Sequence, residues 1–247
     1  MAKNERVLDG KPAATTAGGV RARVRAEMIV QIKAAARRRL AGEGANLSLR
    51  AIARDLGMVS SALYRYFASR DDLLTALIID AYNDLGDAAE RADAAVGDRA
   101  DVGGRWMAVA RAVRAWALAS PAEYGLLYGT PVPGYAAPQD TTAPAARPVV
   151  VLGAIAADAR VDTAAPRRPL SPALGAEVRR LAASLGDANP IDDDVMVRGL
   201  IAWTLLFGAL NFELFGRIDN LIDQRDEWFD RQMVAMLDFM GINYTLV

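Results

Sequence analysis

The 247-residue chain contains no cysteine and no histidine. Without cysteine it can form no disulfide and carry out no thiol chemistry, which fits a protein of a reducing compartment. Without histidine it lacks the commonest general base, it cannot assemble a Ser-His-Asp or Cys-His nucleophile, and any transition metal would need an all-carboxylate site. We therefore predict a protein that is not an enzyme, with no catalytic residue, no cofactor and no metal site.

The sequence also lacks the apolar segments of a secretory signal or a membrane anchor. Residues 1–19 combine glycine, alanine, threonine and charge without a helical period, which predicts a disordered N-terminal arm. The most apolar run, 200–215, is interrupted by Asn211 and Glu213 and is shorter than the ~20 apolar residues of a spanning helix. We predict a buried helix there, and a cytoplasmic protein without a membrane partner.

Positive charge is concentrated toward the N-terminus, although the net charge is only −1. Residues 1–75 contain 14 Lys and Arg against 7 Asp and Glu, whereas residues 76–247 contain 15 against 23. A basic head on an acidic body is typical of a phosphate-binding module joined to a domain that does not itself bind DNA.

Residues 48–74 have the pattern of two short helices around a tight turn, followed by a third helix. Leu49, Ile52 and Leu56 recur on one helical face, and Ser48 stands at the N-cap, where its hydroxyl can accept a bond from an unpaired amide. Gly57 can adopt the left-handed conformation that ends this helix. The pattern up to this point predicts the first helix and turn of a helix-turn-helix unit.

The second helix is predicted over about 59–67 and carries hydroxyl, tyrosine and arginine side chains around Leu63 and Phe67. Ser69 then caps a third, longer helix that begins near Arg70. In a helix-turn-helix unit the second helix enters the major groove with its first residues on base edges. The segment therefore predicts a DNA reader.

The same residues closely resemble the N-terminal domain of tetracycline-repressor-type (TetR) transcriptional regulators. The resemblance is carried by LRAIA at 49–53, Gly57, ALYRYF at 62–67 and SRDDL at 69–73, without a gap over about 50 residues. Val59 departs from the pattern, because many relatives have Ser or Thr at the start of the recognition helix. A phosphate or base contact from that hydroxyl would be missing here.

The DNA contacts that we predict come partly from the geometry of the motif and partly from the resemblance. The two serines at the start of the second helix would meet base edges, and the start of the first helix would meet the DNA backbone. The resemblance implies phosphate contacts by the tyrosines and by the residue that opens the next helix. The predicted set is Ser48, Arg50, Ser60, Ser61, Tyr64, Arg65, Tyr66 and Arg70.

The remaining residues read as helices, so we predict an all-α fold. A three-helix helix-turn-helix domain would occupy 20–75, and a helical effector-binding and dimerisation domain would occupy 76–247. The predicted helices of the body lie near 99–119, 121–129, 145–160, 172–185, 192–216 and 223–241. Asp192, Asp193 and Asp194 are interpreted as helix N-terminal charge rather than as a metal cluster. Two proline-rich segments, 129–148 and 161–172, are predicted to be binding loops or disordered segments, or else linkers between subdomains.

The body resembles one type of TetR-family C-terminal domain, the type with a Trp and then a His-Gly pair in a late helix (WHG). The resemblance rests on PAEYGLLYG at 121–129, PVPGY at 131–135 and Trp203, but Phe207-Gly208 replaces His-Gly. It implies a cavity for a small-molecule effector, and the phenylalanine implies a largely apolar one. The predicted pocket residues are Trp106, Met107, Trp116, Tyr124, Tyr128, Trp203, Phe207 and Asn211.

We predict that the last two helices form a homodimer. The last helix has a stripe of large apolar residues at helical spacing, and the helix before it is apolar on nearly every side, so it needs cover on both faces. Two-fold symmetry would place two recognition helices about 34–36 Å apart, or slightly more, on a near-palindromic operator. The predicted interface residues are Phe212, Phe215, Phe229, Met233, Met236, Leu237 and Met240.

The resulting hypothesis is a homodimeric repressor that binds a double-stranded DNA operator and is released by a small, largely apolar effector. One alternative is an architectural or division-control DNA-binding protein without a ligand, whose body would be filled with side chains. A helical enzyme is the third interpretation, and no constellation of carboxylate, lysine or tyrosine residues favours it.

Overall fold

The computed structural model describes residues 17–159, 169–184, 192–242 and 244. Over these residues the chain forms α-helices joined by turns and contains no strand, which confirms the predicted all-α fold. The predicted N-terminal arm lies largely outside the described residues, but 17–19 already belong to the first helix. Most of the second proline-rich segment also lies outside them.

Four helices build the N-terminal part, which we call the head. They are α1 (Ala17–Glu43), α2 (Leu49–Asp55), α3 (Ser60–Leu63) and the N-terminal half of α4 (Arg70–Val96). The remaining helices, with the C-terminal half of α4, build the body. They are α5 (Val102–Ala119), α6 (Pro121–Tyr128), α7 (Thr142–Asp158), α8 (Pro172–Ser184), α9 (Asp193–Leu214) and α10 (Arg225–Met240), with a 3₁₀ turn at Gln139–Thr141 before α7.

Side-chain caps set several helix starts at the positions that the sequence indicates. The hydroxyl of Ser48 accepts from the amide of Ala51 at 3.4 Å, and that of Ser69 accepts from the amide of Asp72 at 3.0 Å. At the start of α9 the carboxylate of Asp192 accepts from the amide of Asp194 at 2.9 Å. The aspartates 192–194 therefore open a helix, as predicted.

Two hydrophobic cores each include residues of α4. The head core is built on Ile32, Ile52 and Leu63 and receives Leu74 and Leu77 from α4. The body core takes Leu85 and Ala89 from the same helix and continues through α5, α7, α9 and α10. The division that we propose near residue 75 thus falls inside a continuous helix.

One helix in the described part of the chain, α9, is long and apolar enough to cross a membrane. Core helices of water-soluble proteins meet the same criterion, and Ala202, Leu206 and Leu210 of α9 are fully buried against the rest of the body. Packing within the protomer therefore accounts for one face of α9.

Candidate DNA-binding surface and effector region

The recognition helix is shorter than the sequence predicts. Only Ser60–Leu63 is α-helical, and the chain continues as a turn through residues 64–66. Gly57 has a φ of +64°, so it makes the left-handed turn expected before this helix. Val59 occupies the N-cap and gives no side-chain hydrogen bond, which is the physical consequence of the missing hydroxyl at that position.

Two buried side chains hold the recognition segment against the head and turn the residues between them outward. Leu63 is fully buried and Phe67 is 8% exposed, whereas Tyr64 between them is 46% exposed. Ser61 and Arg65 are exposed as well, and so are Ser48 and Arg50 at the start of α2. The other predicted contacts, Ser60, Tyr66 and Arg70, are partly buried.

Two of the predicted phosphate-binding residues have partners inside the head. The guanidinium of Arg70 donates to the carbonyl oxygen of Ala45 at 2.7 Å, so it ties α4 to the loop before α2. The ring of Tyr66 lies under the guanidinium of Arg25, 5.1 Å from its centroid. Both residues therefore have a structural role whether or not they also touch DNA.

Arg25 lies in α1 and supports the recognition segment from outside the predicted set of DNA contacts. Besides its contact with Tyr66, Arg25 donates to the carbonyl oxygen of Arg65 at 3.1 Å. It therefore clamps the turn that follows α3, and this contact joins residues 40 positions apart in the chain.

The predicted aromatic pocket is for the most part a packed cluster. Tyr128 and Phe207 lie 4.2 Å apart between ring centroids, Trp203 and Phe207 5.5 Å, and Trp116 and Tyr124 6.5 Å. Burial raises the pKa of Tyr124 and of Tyr128, so both phenols stay neutral. The Phe207 that replaces the family histidine thus fills space among rings rather than lining a void.

A narrow apolar cavity remains beside this cluster, between α5, α7, α9 and α10, with a volume of about 40 Å³. Two of the predicted pocket residues, Trp106 and Trp203, line it, and we call it the indole cavity. Met107 is part of the packed core. Asn211 lines neither this cavity nor the larger groove described next.

A larger groove of about 870 Å³ lies on the other side of α7. Its walls are α4, α6, α7, α8 and the part of the first proline-rich segment that precedes α7, residues 129–141. We call these residues the strap, and the groove the strap groove. Tyr82, Tyr135 and Thr141 give it polar atoms, and Val149 lines both the groove and the indole cavity. The sequence singled out the proline-rich segment but not the helices that complete the groove.

The strap groove borders the head directly. Leu126, Val132 and Tyr135 line the groove and also pack against the head core. The hydroxyl groups of Tyr135 and Thr75 are hydrogen-bonded at 2.9 Å, which joins the strap to α4. A ligand that displaces the strap would therefore act on residues that contact the head.

Glu213, a buried carboxylate, is satisfied within the protomer. The guanidinium of Arg114 donates to its two oxygens at 2.7 and 2.8 Å. Arg114 also lies 5.1 Å from the ring centroid of Phe229 and forms an ion pair with Asp226 at 2.8 Å. This pair fastens α5 to α9 and gives each oxygen of Glu213 a hydrogen-bond partner within the protomer.

The apolar stripe of α10, which we predicted to form the dimer interface, faces the core of its own protomer. Its five residues are buried in the core of their own protomer, where they pack against α5 and α9, so in this conformation they cannot meet a partner. The physical reason is that α10 packs against both α5 and α9, so its apolar stripe completes the body core. The residues are Phe229, Met233, Met236, Leu237 and Met240.

In contrast to α10, α9 exposes an apolar strip to solvent, which we call the seam. Ile201, Leu205 and Phe212 are 41%, 47% and 58% exposed, and they recur at the spacing of one helical face. Gly208 lies in the same seam, and a Cβ added there would meet nothing within 4 Å. Phe215, also in the predicted interface, is 49% exposed just beyond the helix.

Comparison with known proteins agrees with this architecture. Residues 32–77 match the profile described as "Bacterial regulatory proteins, tetR family", and residues 106–236 match "Tetracyclin repressor-like, C-terminal domain". The chain is 44% identical over 234 residues to the HTH-type transcriptional regulator Rv1816 of Mycobacterium tuberculosis, covering 89% of this chain and 96% of that protein. The regulator Mb1846 of Mycobacterium bovis matches with the same identity and coverage.

Two solved structures share the fold. The regulatory protein SCO4313 superposes with a TM-score of 0.72 at 35% identity, over 88% of this chain and 98% of its own. A protein of unknown function from Rhodococcus sp. RHA1 superposes with a TM-score of 0.58 at 23% identity, over 86% and 93% of the two chains, which bears on the fold alone. The helix-turn-helix head, the helical body and these relatives together establish that the chain belongs to the TetR family of bacterial transcriptional regulators.

Proposed function

We propose that this regulator acts as a homodimeric repressor that binds a near-palindromic DNA operator in the cytoplasm and leaves it when a small, largely apolar molecule binds the body. The observation that carries the DNA-binding part is the exposure of Ser61, Tyr64 and Arg65 on a segment that the buried side chains of Leu63 and Phe67 anchor to the head. Hydroxyl and guanidinium groups held in this way suit contacts to base edges and phosphates.

The dimer in this proposal is built on the exposed seam of α9. Leu205 and Phe212 are large apolar side chains open to solvent on a helix whose other face is packed in the core. A second α9 lying against the seam, at the open space beside Gly208, would cover them as in a four-helix bundle. Trp228 and Phe239, both 41% exposed on α10, would extend the same contact.

Release from DNA would be a population shift between two body conformations. A ligand in the strap groove would contact Leu126, Val132 and Tyr135, which also pack on the head. If it displaces the strap, it weakens the bond between Tyr135 and Thr75 and changes the support of α4. The shift cannot exceed the ligand's difference in affinity for the two conformations.

The test is a gel shift with the DNA immediately upstream of the gene that encodes this protein. We expect a sequence-specific shift whose affinity falls steeply with salt, because phosphate contacts release counterions. Tyr64→Phe should weaken the shift, whereas Tyr82→Phe, which removes a hydroxyl from the strap groove instead, should not. A shift that is equally strong on unrelated DNA, or insensitive to Tyr64→Phe, would contradict the proposed reader.

A further inference from the structure

The first helix begins well before the head core that it helps to build. α1 starts at Ala17, but the first of its residues to pack on that core is Met28, and the first fully buried one is Ile32. Residues 19–27 are all exposed, and we call them the α1 extension. At 1.5 Å per residue, α1 runs about 16 Å, or about three turns, before it reaches the core. Packing of the head core therefore does not account for this length.

The contacts of one arginine show where the α1 extension lies. The guanidinium of Arg25 donates to the carbonyl oxygen of Arg65 at 3.1 Å and lies 5.1 Å from the ring centroid of Tyr66. Both partners belong to the turn that follows α3, and both are among the predicted DNA contacts. The α1 extension is therefore anchored beside the surface that would face DNA.

The two faces of the α1 extension differ in the surroundings of their arginines. Arg21 precedes Arg25 by one helical turn and Ile32 follows it by two, so all three share the face that leads into the head core. Arg23 is rotated by about 200° from Arg25 and lies on the opposite face. There it forms an ion pair with Glu27 at 3.6 Å, whereas Arg21 has no ion-pair partner among the described residues. The face that passes the recognition segment thus carries an exposed guanidinium that is available to an anion.

We propose that the α1 extension is a second DNA-contacting element of the head, in which Arg21 binds a backbone phosphate beside the groove that the recognition segment enters. Arg25 anchors the α1 extension to the turn after α3, so that Arg21 is held one turn farther along the same face. A guanidinium bound to phosphate adds affinity and fixes orientation but reads no base. The inference rests on the proposed DNA binding, yet a phosphate contact forms on any duplex and can be measured without a known operator.

The test measures binding of the full-length protein to two fluorescently labelled duplexes, the upstream DNA and an unrelated sequence, by fluorescence anisotropy between about 50 and 200 mM salt. Arg21→Ala should reduce the slope of log affinity against log salt by about 0.9 for each bound head, because one phosphate contact per head is lost. Its affinity should fall by the same factor on both duplexes, because the lost contact carries no sequence information. Arg23→Ala removes the same charge from the opposite face and should leave the slope unchanged.

A conservative variant separates the charge of Arg21 from its effect on the helix. Arg21→Lys keeps a cation at this position and should retain most of the wild-type slope. Equal losses in Arg21→Ala and Arg23→Ala, or no loss in Arg21→Ala, would overturn the inference, because the position of the charge would then not matter. If the wild-type protein binds both duplexes equally well and Arg21→Ala still reduces the slope, the proposed operator recognition fails and the phosphate contact of Arg21 stands.

Discussion

The ion pair between Arg114 and Glu213 offers the sharpest test of how the body is held together. The side chains of Arg114 and Glu213 are 14% and 7% exposed, and two hydrogen bonds join them. Arg114→Met leaves the Glu213 carboxylate buried and unpaired, which in comparable pairs costs about 3–5 kcal/mol of unfolding free energy. Glu213→Leu should cost less, because Arg114 retains Asp226, whose side chain is 94% exposed and can keep the guanidinium near water.

The double variant, Arg114→Met with Glu213→Leu, is the informative one. Replacing both charges by apolar side chains of similar size removes the desolvation penalty together with the attraction, so its stability should lie within about 1 kcal/mol of the wild-type value. Arg114→Met should thus be rescued by a second substitution that is itself harmful. The coupling free energy from the cycle should be at least about 2 kcal/mol.

Urea unfolding followed by circular dichroism measures these differences, at one protein concentration because the proposed dimerisation would contribute to stability. Arg111→Met is a matched control, because Arg111 forms its ion pair with Asp230 at the surface, where the Arg111 side chain is 50% exposed. It should cost no more than about 1 kcal/mol. If the losses of unfolding free energy in the two single variants simply add in the double variant, then Arg114 and Glu213 are not coupled as a buried ion pair.

Three further expectations concern the seam, the head and the contact between α4 and α7. Leu205→Ala should weaken the proposed dimer by about tenfold or more in analytical ultracentrifugation, because each half-exposed leucine would no longer be buried against the partner. Val30→Ala, at an exposed apolar position of α1, is the control. An equal effect of the two variants would exclude the seam as the dimer interface. The hydrogen bond from Arg39 lowers the pKa of Asp55, so the stabilisation that Asp55 gives is present above its unfolded pKa and is lost as the pH falls through the folded one. Thermal melts should therefore show Asp55→Asn as destabilising near pH 7 and progressively less so below about pH 4, and a constant difference would contradict the sign. Gly86→Ala should lower the melting temperature, because the new Cβ would lie 2.8 Å from that of Arg147, whereas Gly125→Ala, with nothing within 4 Å, should not.

Local chemistry made the head and the helix order predictable. Ser48, Gly57 and Ser69 act on the backbone within three residues of themselves, so their roles can be read without knowing the fold. The body helices follow the predicted ranges closely for the same reason. What could not be read is which apolar face of a helix is buried in its own protomer and which stays exposed, because α9 and α10 are both apolar and the choice depends on how they pack against α5.

The contacts that connect distant parts were equally out of reach. Arg114 and Glu213 are 99 positions apart, and Thr75 and Tyr135 are 60 apart, so no spacing rule links them. The sequence pattern also predicted that several aromatic residues line an effector pocket, whereas in the structure most of them pack against one another. Trp106 and Trp203 do line a cavity, but only the three-dimensional structure shows that Nε1 of Trp106 has a hydrogen-bond partner and that Nε1 of Trp203 has none among the described residues.

The passage of α4 through both cores has a consequence for how the protein can be taken apart. A fragment ending at residue 75 would lack Leu77, which is 1% exposed in the intact chain, and would lose the cover of Ala122 and Leu126 from α6. Such a fragment would expose apolar surface that the body normally shields. The DNA-binding unit is therefore not a detachable module, and melting of the body should remove support from the reader in the same cooperative transition.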